Sequence, residues 1–174
     1  LHVRSRRQRQ MCIRDRIDEE LCKEVQRLGN LSFALSVEGY AETNDDRRGQ
    51  GVFEKVMHAM DLMKEHGLLF GTSICYTSKN YKVVTSDEFL QMLVDKGAIL
   101  SWFFHYMPVG NDASPELLLT PDQREEMYHA IRKFRSTKAI FTLPPFLSGC
   151  TTILQGSSHS NGAWSSFATI LAAI

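Results

Sequence analysis

The stretch LSFALSVEGYAETNDDRRGQGVFEKVMHAMDLMKEHGLLFGTSICYT (31–77) decides the fold. It opens on a short apolar run, LSFALS (31–36), and closes on another, LLFGTSICYT (68–77). Between them, GVFEKVMHAMDLMKEHG (51–67) sets Val52, Phe53, Val56, Met57, Met60 and Met63 on one stripe of a helix that Gly67 ends. Near-continuous apolar strands separated by an amphipathic helix predict a parallel sheet buried on both faces, with helices outside.

The same alternation continues on either side. DEELCKEVQRLGN (18–30) predicts a helix with Leu21, Val25 and Leu28 on one face and Gly29 as its stop. Downstream, Thr85 and Glu88 form a T-x-x-E capping box that opens a helix to about Lys96, and Gly97 ends it. AILSWFFHYM (98–107) is the third strand. Thr120, Pro121 and Gln123 supply a cap, a first-turn proline and a capping-box partner for a helix to about Arg135, and KAIFTL (138–143) is the fourth strand. The order α-β-α-β-α-β-α-β gives an α/β fold with right-handed crossovers. Ligands in such folds sit at the carboxyl ends of the strands, here residues 36–39, 72–77, 105–110 and 142–145.

With 174 residues the chain has room for one ordinary domain, and its 43% hydrophobic and 10% aromatic content excludes a disordered or collagenous protein. No apolar run is long enough to span a bilayer as a helix, so no membrane partner is expected. The zero net charge hides an asymmetry. Residues 1–16 hold six Arg against one Asp, net +5, which leaves residues 17–174 with 14 positive and 19 negative charges, net −5. The mildly acidic body argues against a nucleic-acid surface. The leader LHVRSRRQRQMCIRDR (1–16) has no apolar periodicity; it reads either as a basic arm or, preferred here, as a non-native translated adapter. Residues 144–174, PPFLSGCTTILQGSSHSNGAWSSFATILAAI, hold no Asp, Glu, Lys or Arg. They read either as ending in a buried helix over 164–174 or, preferred here, as a tail in a lost reading frame. Cys12, Cys22, Cys75 and Cys150 are scattered, with no C-x-x-C pair and no secretory signal, so reduced cytoplasmic thiols are expected.

Two strand ends and one strand-to-helix connection carry candidate chemistry. In SVEG (36–39), Ser36 and Glu38 alternate with Val37 and share one face, where a hydroxyl and a carboxylate could bond adjacent ribose hydroxyls; a plain polar strand end capped by Gly39 is the alternative. TNDDRRGQG (43–51) brings Arg47 and Arg48 near the strand mouth, suited to forked bonding of a carboxylate, against the alternative of a solvated loop with an Asp45/Asp46–Arg network. His105 in HYMPVG (105–110) is a possible ligand or proton carrier, though a packed core histidine is the commoner outcome. The other histidines lack metal-ligand spacing, and Met57, Met60, Met63 and Met127 read as core filler.

Taken together, residues 31–110 resemble the second half of a radical S-adenosylmethionine (radical SAM) enzyme barrel. The resemblance rests on a strand ending in S-x-[DE]-G, an acidic connection reaching R-G, and the helix pattern G-x-F-x-K-[AV] over 51–56. YMPVG (106–110) and LLLTPDQR (117–124) extend it. It implies a partial (β/α) TIM-like barrel of radical SAM type, here with the first strands missing. It also implies that Ser36 and Glu38 hold the ribose of S-adenosylmethionine and Arg48 its methionyl carboxylate. The family cleaves that cofactor reductively at a [4Fe–4S] cluster, with electrons from a ferredoxin- or flavodoxin-type donor, and the 5′-deoxyadenosyl radical abstracts hydrogen from a small-molecule or peptide substrate. The cluster motif C-x-x-x-C-x-x-C is absent, so no metal ligand is assigned and residues 17–143 are expected to be an inactive part of an active parent. The competing readings are another (β/α) barrel enzyme, an isomerase or aldolase with Glu38 as base, and a non-catalytic doubly wound regulatory or docking domain.

Overall fold

Strands β1 (Phe33–Ser36), β2 (Phe70–Tyr76), β3 (Leu100–His105) and β4 (Phe141–Leu143) lie parallel and side by side in chain order. A two-residue strand, β5 (Ala172–Ala173), pairs parallel with the far edge of β1. The structure, a computed structural model, describes residues 17–108, 114–143 and 172–173. The basic leader and the reading of 144–174 lie outside the described residues, β5 apart.

The helices form where their sequence signals stand. Helix α1 (Glu19–Leu28) starts at Asp18, whose carboxylate accepts the Leu21 N–H at 2.8 Å, and stops at Gly29 with φ 64°. Helix α3 (Val52–Glu65) buries Val52, Val56, Ala59, Met60 and Met63. Helix α6 (Pro121–Thr137) begins with the full capping box of Thr120 and Gln123 and buries Met127, Ile131 and Phe134. Among the described residues, no helix is long and apolar enough to cross a membrane.

Two local expectations are corrected. Residues 43–51 do not form a loop: α2 (Ala41–Arg48) is a polar helix with no apolar stripe for the sequence pattern to reveal. Tertiary bonds shape it instead, as the Asp45 carboxylate accepts the N–H groups of Gly51 at 2.7 Å and Phe53 at 2.8 Å and so caps α3 from the preceding helix. Those donors, with the Asn44 amide, hold the Asp45 carboxyl below its usual pKa, the Phe53 bond first. The second correction concerns the cap of α5 (Asp87–Asp95). Ser86 caps it, not Thr85, because Ser86 has the extended backbone an N-cap needs. Thr85 still closes the short helix α4 (Tyr81–Val84), its hydroxyl donating to the Tyr81 carbonyl at 2.6 Å.

The strands alternate between two environments. Phe33, Leu35, Val37, Phe70, Ile74, Tyr76 and Phe103 join the helices' apolar side chains in one core on the outer face. Each such large side chain contributes about 1.5–3 kcal/mol on burial. The inner face carries Ala34, Ser36, Gly71, Ser73, Leu100, Trp102 and Phe104. It is buried along β1 but only half-buried at Leu100, Trp102 and Phe104. Burial on both faces therefore holds for β1 and for β2 as far as Ile74, and not for β3. Gly71 is fixed by proximity: a Cβ there would sit 2.9 Å from the Leu100 carbonyl oxygen of β3.

Candidate functional site

Beyond the carboxyl end of β1 the chain runs through Val37, Glu38 and Gly39. Val37 keeps the sheet register by donating its N–H to the Ser73 carbonyl at 3.0 Å. Gly39 then adopts φ 129°, where a Cβ would also crowd Thr43 and Val83 at 3.2 and 3.4 Å. Glycine is needed on both counts.

Glu38 is 1% exposed, and its carboxylate is the centre of the site. Arg47 Nη1 donates to Oε2 at 2.8 Å, and Arg48 donates to Oε1 from Nε at 3.1 Å and from Nη2 at 2.7 Å. Two guanidiniums on one desolvated carboxylate make charge-assisted bonds of the stronger kind. The Glu38 backbone is held as firmly: its N–H donates to Asn44 Oδ1 at 3.0 Å, and its carbonyl accepts Asn80 Nδ2 at 3.0 Å. Asn80 also donates to the Cys75 carbonyl and accepts the Thr77 N–H at 2.6 Å, which ties the ends of β1 and β2 together. The Arg47 guanidinium carbon lies 5.6 Å from the Tyr106 ring centroid, so the rim reaches across to the end of β3.

Ser36, Glu38 and Arg48 are thus brought to one corner of the sheet. The Asp45/Asp46–Arg network is not what forms: both arginines turn to Glu38, and Asp45 serves α3. His105 lies elsewhere, on the outer face. Its Nε2 is 3.1 Å from the Tyr76 hydroxyl, with the rings edge to face. Burial, helped by Arg124, holds the His105 imidazole below its ordinary pKa, and burial drives the Tyr76 phenol up. His105 is half-buried and packed against Tyr76 at the margin of the core. Cys22 is buried, and burial with Asp18 and Glu19 raises its thiol pKa, which leaves it unreactive. A cavity of about 500 Å³ opens at the amino end of the sheet, among Leu31, Leu69 and Ile99. It is away from Glu38 and holds none of these polar groups.

Sequence reading missed Asn44 and Asn80, which hold the Glu38 backbone. Asn80 carried a signal, since T-S-K-N can form an Asx-type turn. For Asn44 there was none, because its bond to the Glu38 N–H depends on how α2 folds back over the end of β1.

A parallel sheet with helices on one face and a charged corner at its carboxyl edge defines the class: the chain has the α/β fold of a partial radical SAM barrel. Similar solved structures include those of anSMEcpe. A tagged form with bound AdoMet has a TM-score of 0.59 at 19% identity, covering 82% of this chain and 39% of that one. The native form with AdoMet gives 0.59 at 20% identity over 82% and 41%, and with AdoMet and a Cp18Cys peptide 0.58 at 19% over 82% and 42%. The chain thus spans about two fifths of these neighbours. No family model and no curated protein matches the sequence.

Proposed function

We propose that the chain contributes the carboxyl-terminal part of a radical SAM barrel and that its Ser36–Glu38–Arg48 corner binds S-adenosylmethionine. The observation that carries this is the buried Glu38 carboxylate gripped by two guanidiniums beside the end of β1, on a fold shared with AdoMet-bound structures. In this reading Ser36 and Glu38 face the ribose and Arg48 the methionyl carboxylate. The residues fit that ligand. Arg48 spends Nε and Nη2 on Glu38, which leaves Nη1 for a second carboxylate, and the Ser36 hydroxyl is buried without a partner among the described residues. When bound, this cofactor supplies radical hydrogen abstraction in enzymes of the family.

The described residues do not fit a [4Fe–4S] cluster. Cys22 lies in α1 and Cys75 in β2, and no group of three His, Cys, Asp or Glu among the described residues could hold a metal ion. No step is assigned through a cluster here. We assign the complete activity to a longer cytoplasmic protein with its own cluster ligands, a ferredoxin- or flavodoxin-type donor and a small-molecule or peptide substrate. The role of Glu38 as an aldolase-type base has less support, because its carboxylate already accepts three bonds.

Equilibrium dialysis of the full chain against labelled S-adenosylmethionine tests the reading. Saturable binding is expected, and Arg48→Ala should weaken it about tenfold, the worth of one charged hydrogen bond. Iron and sulfide reconstitution should yield no 4Fe–4S absorbance. Absence of saturable binding would sink the proposal.

A further inference from the structure

Two buried hydroxyls on the inner face lack a hydrogen-bond partner among the described residues. Ser36 ends β1, and Ser73 stands opposite it in register on β2, so both project from the same face. They are 7% and 8% exposed. Among the described residues, neither hydroxyl makes a hydrogen bond, whereas the neighbouring buried polar side chains Asn44, Thr72, Thr77, Asn80 and Ser101 all do. A buried hydroxyl without a partner is destabilising, and such groups are rare in folded proteins.

We infer that Ser36 and Ser73 together receive the vicinal diol of a bound nucleoside, which makes Ser73 a ligand-binding residue in its own right. The inference rests on the proposed binding of S-adenosylmethionine at this corner, and moves the second diol contact from Glu38 to Ser73. Glu38, already committed to Arg47 and Arg48, then orients Arg48. The chemistry favours a neutral diol. Each serine hydroxyl both donates and accepts, as each diol hydroxyl does. Adjacent strands lie about 4.8 Å apart, so the two side chains can flank two neighbouring oxygens. On the other side of Ser73 stands Trp102, its register partner on β3, with its ring 4.8 Å from that of Phe104. That apolar wall bounds the polar pair.

The test compares S-adenosylmethionine with its 2′,3′-dideoxy analogue on the full chain, by equilibrium dialysis, for the wild type and Ser73→Ala. Loss of one neutral hydrogen bond should weaken S-adenosylmethionine about fivefold and leave the dideoxy analogue unchanged. Unchanged affinity for S-adenosylmethionine, or equal loss for both ligands, overturns the inference while the proposed function stands. A wild type that binds no S-adenosylmethionine overturns both. Melting of the free protein gives a second readout: Ser73→Ala should leave the midpoint unchanged or raised, since no internal bond is lost. A lowered midpoint would reveal a partner within the fold and overturn the assignment.

Discussion

On the helix-covered face of the sheet, Thr72 and Ser101 bond each other across β2 and β3 at 2.7 Å, and Thr142 donates to the Ile131 carbonyl at 3.2 Å. On the other face, one residue along β2, Ser73 and its register partner Ser36 are also buried, at 8% and 7% exposure, yet unpartnered among the described residues. Both sets are serine and threonine hydroxyls, and β2 carries one of each, Thr72 and Ser73. The outer hydroxyls serve the fold, and under the proposed binding the inner ones meet a ligand. Glu38 sits at the boundary, buried like the outer groups but bound to arginines that reach the rim.

The sharpest way to test that boundary is Glu38→Ala. It leaves two guanidiniums facing a desolvated gap, one 40% and the other 23% exposed. Removing one partner of a fully buried pair costs about 3–5 kcal/mol, and the partial exposure of these arginines lowers the expected loss to about 2–3 kcal/mol in urea unfolding. A loss under about 0.5 kcal/mol would mean the pair behaves as a surface salt bridge. Thr72→Val probes the outer face. It strands the Ser101 hydroxyl at 0% exposure and should cost about 1–2 kcal/mol, in contrast to the neutral Ser73→Ala. Equal effects of the two substitutions would erase the distinction between faces.

The smallest effect is in pH. Burial depresses the folded-state pKa of His105 below the ordinary 6.5, so at low pH the unfolded chain binds more protons than the folded one. This contribution is fully present above about pH 6.5 and is lost as the pH falls through the folded-state value. The urea midpoint should therefore drop between about pH 7 and pH 5, and His105→Gln should flatten part of that drop. A profile identical in wild type and variant would show that burial does not perturb His105.

The helices and strands with a period were legible: the stripe of Val56, Met60 and Met63, the stops at Gly29, Gly67 and Gly97, and the Thr120–Gln123 box stand where the sequence puts them. Helix α2 was not legible, because AETNDDRR has no apolar face and its conformation depends on Asn44 reaching Glu38 and Asp45 reaching α3. The cap of α5 was misread by one residue, since Thr85 and Ser86 are chemically alike and only the backbone angles tell which is extended.

For the site, the sequence placed Ser36 and Glu38 on one face by strand alternation and put Arg48 near them by loop length. These are local properties, set by bond geometry and short chain separations. What it could not supply was the partnership of Glu38 with both arginines, or the neighbour of Ser36. Ser73 lies 37 residues further along the chain, and it meets Ser36 only because β1 and β2 pair in one register. Register is decided by how the whole apolar face packs, so only the tertiary structure could fix it.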